Sequence, residues 1–226
     1  MTYLKEFATQ AEYDAFVESG AMAKPNVSLV NEPFGTFYNK YVQHGVYIQH
    51  IDGTLYTTDQ WDAEGYSSDN ANGVAVVTGE ASFVISPNNI GQFAWSPREE
   101  NVDGVFTSDV QDVAVNDFNG YGNTLLIQSK YESGAAVECA NYTFRNGKKG
   151  YLPAIGEWDI VVKNYSEIKS AMTKIGGSLP SGEVWSSTQY NNYSCWYYYR
   201  VMGSTVHIQY GRKNKTYYVL PFTTLD

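Results

Sequence analysis

Three histidines, two cysteines and a run of carboxylates are the side chains best suited to metal or covalent chemistry, and their spacing does not fit it. His44, His50 and His207 form no HxxxH or HExxH pair, the spacing that puts two zinc ligands on one helix face. Cys139 and Cys195 belong to no CxxC pair, and two thiols are too few for a disulfide scaffold. They read as small buried hydrophobes, with a single bridge between them left open. Asp109, Asp112, Asp117 and Asn119 gather in DVQDVAVNDFNG, which lacks the glycine and terminal glutamate that an EF-hand loop needs at fixed offsets. That run reads as a solvated acidic segment. The chain has neither a GxSxG elbow nor a phosphate-binding loop. The expectation is a protein without catalytic residues, metal or cofactor.

What remains is the chemistry of contact. Trp185 to Phe222 reads WSSTQYNNYSCWYYYRVMGSTVHIQYGRKNKTYYVLPF and holds eight of the twenty tyrosines. Tyr offers large contact area for little lost rotamer freedom, and Ser, Asn and Gly adapt their hydrogen bonds; recognition surfaces use that mixture. A core would have to partner every buried hydroxyl and amide. The stretch therefore reads as a displayed surface. A half-buried antiparallel sheet is the alternative, because such strands also favour Tyr and Thr.

Strands and helices must hold that stretch in place. Thr9 to Glu12 fits a capping box, and Tyr13, Phe16 and Val17 share a face, which predicts a short helix at 10–18 ending near Gly20. Val27, Leu29 and Val30 read as extended, punctuated by Pro33 and Gly35. Residues 1–43 are thus expected to form an appendage for attachment or oligomerisation. From Gly45 the pattern turns to strands: Val46 to Ile51 before an Asp52-Gly53 turn, then 73–78 and 81–86, then Phe93-Ala94-Trp95. Helices are expected from Asn123 or Thr124, over 133–142, from Pro153 through Val162, and from Ser166 to Ile175 before Gly176-Gly177. Strands return at 196–201 and 206–210, with a turn at Gly203-Ser204 and a loop at Lys213-Asn214, and Tyr218 to Leu220 closes the sheet. Alternation points Trp196, Tyr198 and Arg200 one way and Tyr197, Tyr199 and Val201 the other. The class is α+β.

Hydrophobic residues make up 43% of the chain and charged ones 17%, enough apolar material for a core and too little charge for disorder. The formal net charge of −9 disfavours nucleic acid and anionic membranes as partners. No apolar run is long enough to span a bilayer, and MTYLKEFATQ lacks a signal-peptide pattern, so synthesis in the cytoplasm without secretion is expected.

Several of these residues carry a resemblance. Tyr151-Leu152-Pro153, Glu157-Trp158, Trp185-Ser186-Ser187-Thr188, Cys195-Trp196, Gly203, Val206, Lys213 and Val219-Leu220-Pro221 together resemble the variable proteins of diversity-generating retroelements. More broadly, the region from about 45 to 226, one large domain, looks like the C-type-lectin fold of the formylglycine-generating-enzyme type. The LPxxxEW and WSST pieces are the most specific. Cys195 stands where the family often has Ala, and Leu220 where it often has Arg. Phe7-Ala8-Thr9 is similar to the start of leaders on phage structural proteins.

In such proteins adenine-directed mutagenesis rewrites the 3′ end of the gene, and the C-terminal strands display the outcomes. The resemblance implies a C-type-lectin-like display domain over 44–226 with a variable region of about 185–222. Tyr190, Asn191, Tyr193, Ser194, Tyr197, Tyr199, His207, Tyr210, Gly211, Asn214, Thr216 and Tyr217 match such outcomes, with Arg212 assisting and Tyr197, Tyr199, Tyr210 and Tyr217 as anchors. Trp185, Trp196, Gly203 and Val206 match the scaffold. The implied partner is a bacterial surface receptor, protein or glycan, and the implied location a phage tail or virion surface. The Glu-Pro-Asn, Gln-Pro-Asp and Trp-Asn-Asp motifs of calcium-dependent sugar binding are missing, and Cys139 and Cys195 lie outside the context of the formylglycine-generating cysteine pair. An invariant structural or adhesin module of the same fold is the competing expectation.

Overall fold

The computed structural model describes residues 42–200 and 206–225, together with strands β1 (Leu29–Asn31) and β2 (Phe37–Asn39), which pair antiparallel. The helix expected at 10–18 and the Gly203-Ser204 turn lie outside the described residues. Contacts divide the chain between His44 and Gly45.

The unit from Gly45 begins with β3 (Gly45–His50), β4 (Leu55–Tyr56), helix α1 (Thr58–Ala63), β5 (Ala71–Val77), β6 (Ser82–Ile85) and β7 (Gln92–Ala94). Five helices follow: α2 (Gln111–Ala114), α3 (Gly120–Lys130), α4 (Ala135–Asn141), α5 (Ile155–Lys163) and α6 (Tyr165–Lys174). The chain then returns to strands with β8 (Gly182–Gln189), β9 (Ser194–Arg200), β10 (Val206–Arg212), β11 (Thr216–Tyr218) and β12 (Phe222–Thr224). The class is α+β, as the alternation of patterns implies.

Two five-stranded sheets result. One is antiparallel, in the order β12-β6-β5-β3-β4. The other is mixed, in the order β10-β9-β8-β11-β7, with β8 and β11 parallel. Tyr218 pairs with Val184 inside this second sheet, but Val219 and Leu220 lie past the strand. Phe222–Thr224 crosses to the first sheet, so the C-terminus joins both.

The second sheet is covered on both faces. Val184, Trp196 and Tyr198 pack into one core with Trp158, and Tyr198 stacks on the Trp158 indole at 4.6 Å. Trp185, Cys195, Tyr197 and Val219 pack into another core with Trp95, Ile127 and Leu152. The alternation of side chains along β9 holds from Cys195 to Tyr199, with the Arg200 side chain and Val201 outside the described residues, but neither face of it is free near β8. The aromatic-rich stretch therefore divides: β8 and most of β9 belong to the interior, and β10, at the sheet edge, carries exposed His207, Gln209, Tyr210 and Arg212.

The polar letters of WSST correct the display reading. Ser186, Ser187, Thr188 and Gln189 are wholly buried, and each has a partner. Ser186 Oγ donates to the Trp196 carbonyl at 2.7 Å, Ser187 Oγ meets Asn123 Nδ2 at 3.1 Å, and Thr188 Oγ1 donates to Asp117 Oδ2 at 2.7 Å. Asp117 is itself 3% exposed and also accepts from Asn123 Nδ2 and the Asn119 N–H. The acidic run is thus split: Asp109 and Asp112 are exposed, and Asp117 is a buried acceptor under the WSST strand. Asn119 caps α3 through the Gly122 N–H.

Beside this network lies Glu157, 3% exposed, in the first turn of α5. It accepts from Tyr151 Oη and from the Ala154 N–H, both at 2.7 Å. Gly120 leaves room for it, because a Cβ there would stand 2.3 Å from Glu157 Oε2. Burial, with some repulsion from Asp117, pushes the Glu157 carboxyl up to about 8. Cys139 and Cys195 are free and buried, and burial raises both thiols.

Candidate functional site

The tip of the β8–β9 hairpin is shaped by Asn191, whose Oδ1 accepts from the Tyr193 and Ser194 N–H groups at 2.9 and 3.0 Å. The Tyr193 carbonyl accepts from the Lys213 N–H at 2.9 Å, which fastens the tip to the end of β10. That geometry brings Tyr190 over Tyr210. Their rings stack at 3.8 Å, 10° from parallel, and both meet Trp196 edge-on at 5.2 and 5.9 Å. Tyr210 is 53% exposed and Tyr193 57%. Desolvation and a hydrogen bond with the Tyr210 hydroxyl hold the Tyr190 phenol above its ordinary value.

Two clefts open beside this stack. One, of about 480 Å³, is lined by Asp109, Gln111, Trp196, Gln209 and the two stacked tyrosines. The other, of about 490 Å³, shares Asp109 and Tyr190 and adds Thr107, Ser108, Asn191 and Tyr193. A third cleft, of about 430 Å³, lies along α6 and shares none of the predicted residues.

The loop that brings Asp109 to the stack is held by a buried clamp. Gln189 Oε1 accepts from the Val102 N–H, and its Nε2 donates to the Val102 carbonyl and to Thr107 Oγ1. The Gln189 backbone bonds to Phe106 and Ser108 as well. Lys213, with no exposed surface, places its ammonium 2.9 Å from Gln189 Oε1 and 2.7 Å from the Glu100 carbonyl, over the Trp95 ring at 4.7 Å. Desolvation lowers its affinity for the proton. Trp196 Nε1 then donates to the Ser108 carbonyl at 2.8 Å, which joins the loop to the aromatic stack.

The predicted set is only partly gathered here. Tyr190, Asn191, Tyr193 and Tyr210 line the clefts. His207, Arg212, Asn214 and Thr216 are exposed without lining them, and Arg212 faces Glu99 at 3.8 Å. Tyr199 and Tyr217 are half-buried against the second core. Ser194 and Tyr197, 8% and 7% exposed, are corrected from display to packing: Ser194 closes the hairpin tip beside Asn191, and Tyr197 packs into the second core. Burial pushes the Tyr197 phenol up to about 12, and its hydroxyl meets Gln209 Oε1 at 3.1 Å. Sequence reading missed the roles of Asp109 and Gln111, whose approach to Tyr210 depends on long-range folding. Trp196, read as scaffold, is scaffold and cleft wall together.

Gly211 is half-buried at the end of β10. A Cβ there would stand 2.8 Å from Tyr217 Oη and 3.1 Å from Tyr197 Cε1, so the glycine makes room for two rings. Gly211→Val is expected to cost about 1–2 kcal/mol by overpacking, read as a lower urea midpoint, and Gly211→Val with Tyr217→Ala should recover most of it.

No family model matches the chain, and no curated protein matches it. Among solved structures, a fimbrial protein from Bacteroides ovatus ATCC 8483 shares the fold with a TM-score of 0.56 at 16% identity. The match covers 80% of this chain and 48% of the other, so this chain spans about half the length of that protein. Among the described residues no helix is long and apolar enough to cross a membrane.

Proposed function

We propose that the chain is a binding module that recognises a bacterial surface receptor through the Tyr190–Tyr210 stack and its two clefts. The observation that carries this reading is the stacked Tyr190–Tyr210 pair between two clefts, with Tyr210 53% exposed, while Tyr197 and Tyr198 of the same aromatic-rich stretch are buried. A frame with both sheet faces covered gives that pair a fixed position, which lowers the ordering cost of contact. The C-type-lectin fold, the diversified status of the C-terminal strands and a place on a phage tail belong to the same proposal, and rest on the residues of the LPxxxEW and WSST pieces. Copies joined through residues 1–43 would add avidity.

Tyr210→Ala is expected to leave the unfolding free energy, read by urea, within about 0.5 kcal/mol of wild type, as for an exposed side chain, and to lower adhesion to bacterial cells at least tenfold. Unchanged adhesion would remove the stack from the reading. Sequencing the gene in sibling isolates tests diversification. Changes are expected at Tyr190, Tyr193, Tyr199, His207, Tyr210, Asn214 and Thr216, with Ser186 to Gln189, Tyr198 and Lys213 constant. Variation spread evenly along the gene would contradict it.

The second reading is an invariant adhesin module. It is favoured by the shared fold of the Bacteroides ovatus fimbrial protein, and identical residues in all isolates would select it.

A further inference from the structure

We infer that the two clefts around Asp109 and Tyr190 bind a neutral saccharide. The inference rests on the binding reading above and gives its site a ligand class.

The argument starts from Tyr210. Tyr190 covers one face of its ring at 3.8 Å, yet Tyr210 remains 53% exposed, so the far face is open. An aromatic face is electronegative and its edge electropositive. A pyranose presents the complement: a patch of polarised C–H bonds ringed by hydroxyls. Stacked on Tyr210, such a ring would direct its hydroxyls to the cleft walls.

Those walls carry the groups that hydroxyls need. Asp109 is exposed and lines both clefts, so its carboxylate can accept from two hydroxyls at once. Gln111 offers a carboxamide that both donates and accepts. Asn191 spends Oδ1 on the hairpin tip and keeps Nδ2. Wall positions are fixed by Trp196 Nε1 on Ser108 and by the Gln189 clamp, so little ordering remains to be done on binding.

Charge selects among saccharides. Among the described residues no Lys, Arg or His lines either cleft, and Asp109 lies in both. The chain carries a net charge of −9. Acidic sugars would meet repulsion with no compensating cation, so neutral ones are favoured. A protein partner would use apolar side chains such as the exposed Val110 and Val113, which line neither cleft. The concave shape and the amide-rich lining favour the saccharide.

The full chain should be applied, in EDTA, to an array of immobilised neutral oligosaccharides built from glucose, galactose, mannose and N-acetylglucosamine, beside a sialylated set. Retention on at least one neutral oligosaccharide is expected, reduced tenfold or more by Tyr210→Ala and by Asp109→Asn at unchanged urea midpoints. Retention on no neutral oligosaccharide, on sialylated ones alone, or equally by both variants would overturn the inference. Metaperiodate, which cleaves vicinal diols, should abolish adhesion to bacterial cells. Adhesion that depends on Tyr210 but survives metaperiodate and is lost to protease would overturn the saccharide and leave the binding reading standing. Adhesion indifferent to Tyr210 would remove both.

Discussion

Replacing Glu157 by Gln should remove a loss of stability that the wild-type chain suffers as pH rises. The carboxyl is buried, and its affinity for the proton is raised from the ordinary 4.5 to about 8. Between those values the unfolded chain gives up the proton while the folded chain keeps it. The folded state then binds more protons, so unfolding becomes easier with each pH unit. The contribution is complete below 4.5, falls through the neutral range and is spent above about 8. A shift of this size corresponds to about 5 kcal/mol over the window. Gln stays neutral, and its Oε1 can still accept from the Ala154 N–H. The difference between wild type and Glu157→Gln, read by urea unfolding at pH 5, 7 and 9, should therefore grow in favour of the variant. Parallel profiles would contradict the burial account. Because Glu157 lies beside the Asp117–Thr188 network, its ionisation at high pH is also expected to loosen the WSST strand first.

Lys213→Ala is the second large effect expected. The side chain is fully buried and its ammonium ties the Glu100 carbonyl to Gln189 Oε1 over Trp95. Hydrogen bonds to a charged group are worth about 1.5–3 kcal/mol each, and part of that is offset by the desolvation that Lys213 no longer suffers, so the net loss should be about 3 kcal/mol. The loss is also local. Val102 and Ser108 donate their N–H groups to Gln189, and Ser108 accepts from Trp196, so the loop carrying Asp109 is held through the same residues. Amide exchange at Val102 and Ser108 should speed up by more than at core strand β5. Lys213→Met, which restores the apolar stem without the charge, should recover part of the stability and leave the loop loose. Uniform acceleration of exchange would show the clamp to be merely part of the global fold.

Local signals were enough for most elements. Asp52-Gly53, the 73–86 hairpin and the helices after Pro153 and Ser166 follow from period and punctuation, and the structure has them. α1 was missed, although Thr57 and Gln60 form a reciprocal cap, because Trp61 is its one buried side chain and gives no periodicity. The interior role of the WSST strand was missed for another reason. Its polar residues are satisfied by Asp117, Asn123, Val102 and Lys213, partners far away in sequence, so nothing local distinguishes them from exposed ones. Alternation gave the two sides of β9 but not that helices cover both. The same limit applies at the candidate site: Tyr190 and Tyr210 stood out by residue type, whereas Asp109 joined them only through the folded loop.

Iodination of the tyrosines, mapped by peptide mass spectrometry, tests most directly whether the aromatic stretch is part frame and part surface. In the folded chain Tyr193 and Tyr210 should react early, Tyr199 and Tyr217 later, and Tyr197 and Tyr198 only on unfolding. On chain bound to bacterial cells, Tyr210 should be shielded while exposed Tyr121 stays reactive. Equal rates for Tyr198 and Tyr210 in the free chain, or a bound Tyr210 that reacts as fast as the free one, would contradict the account.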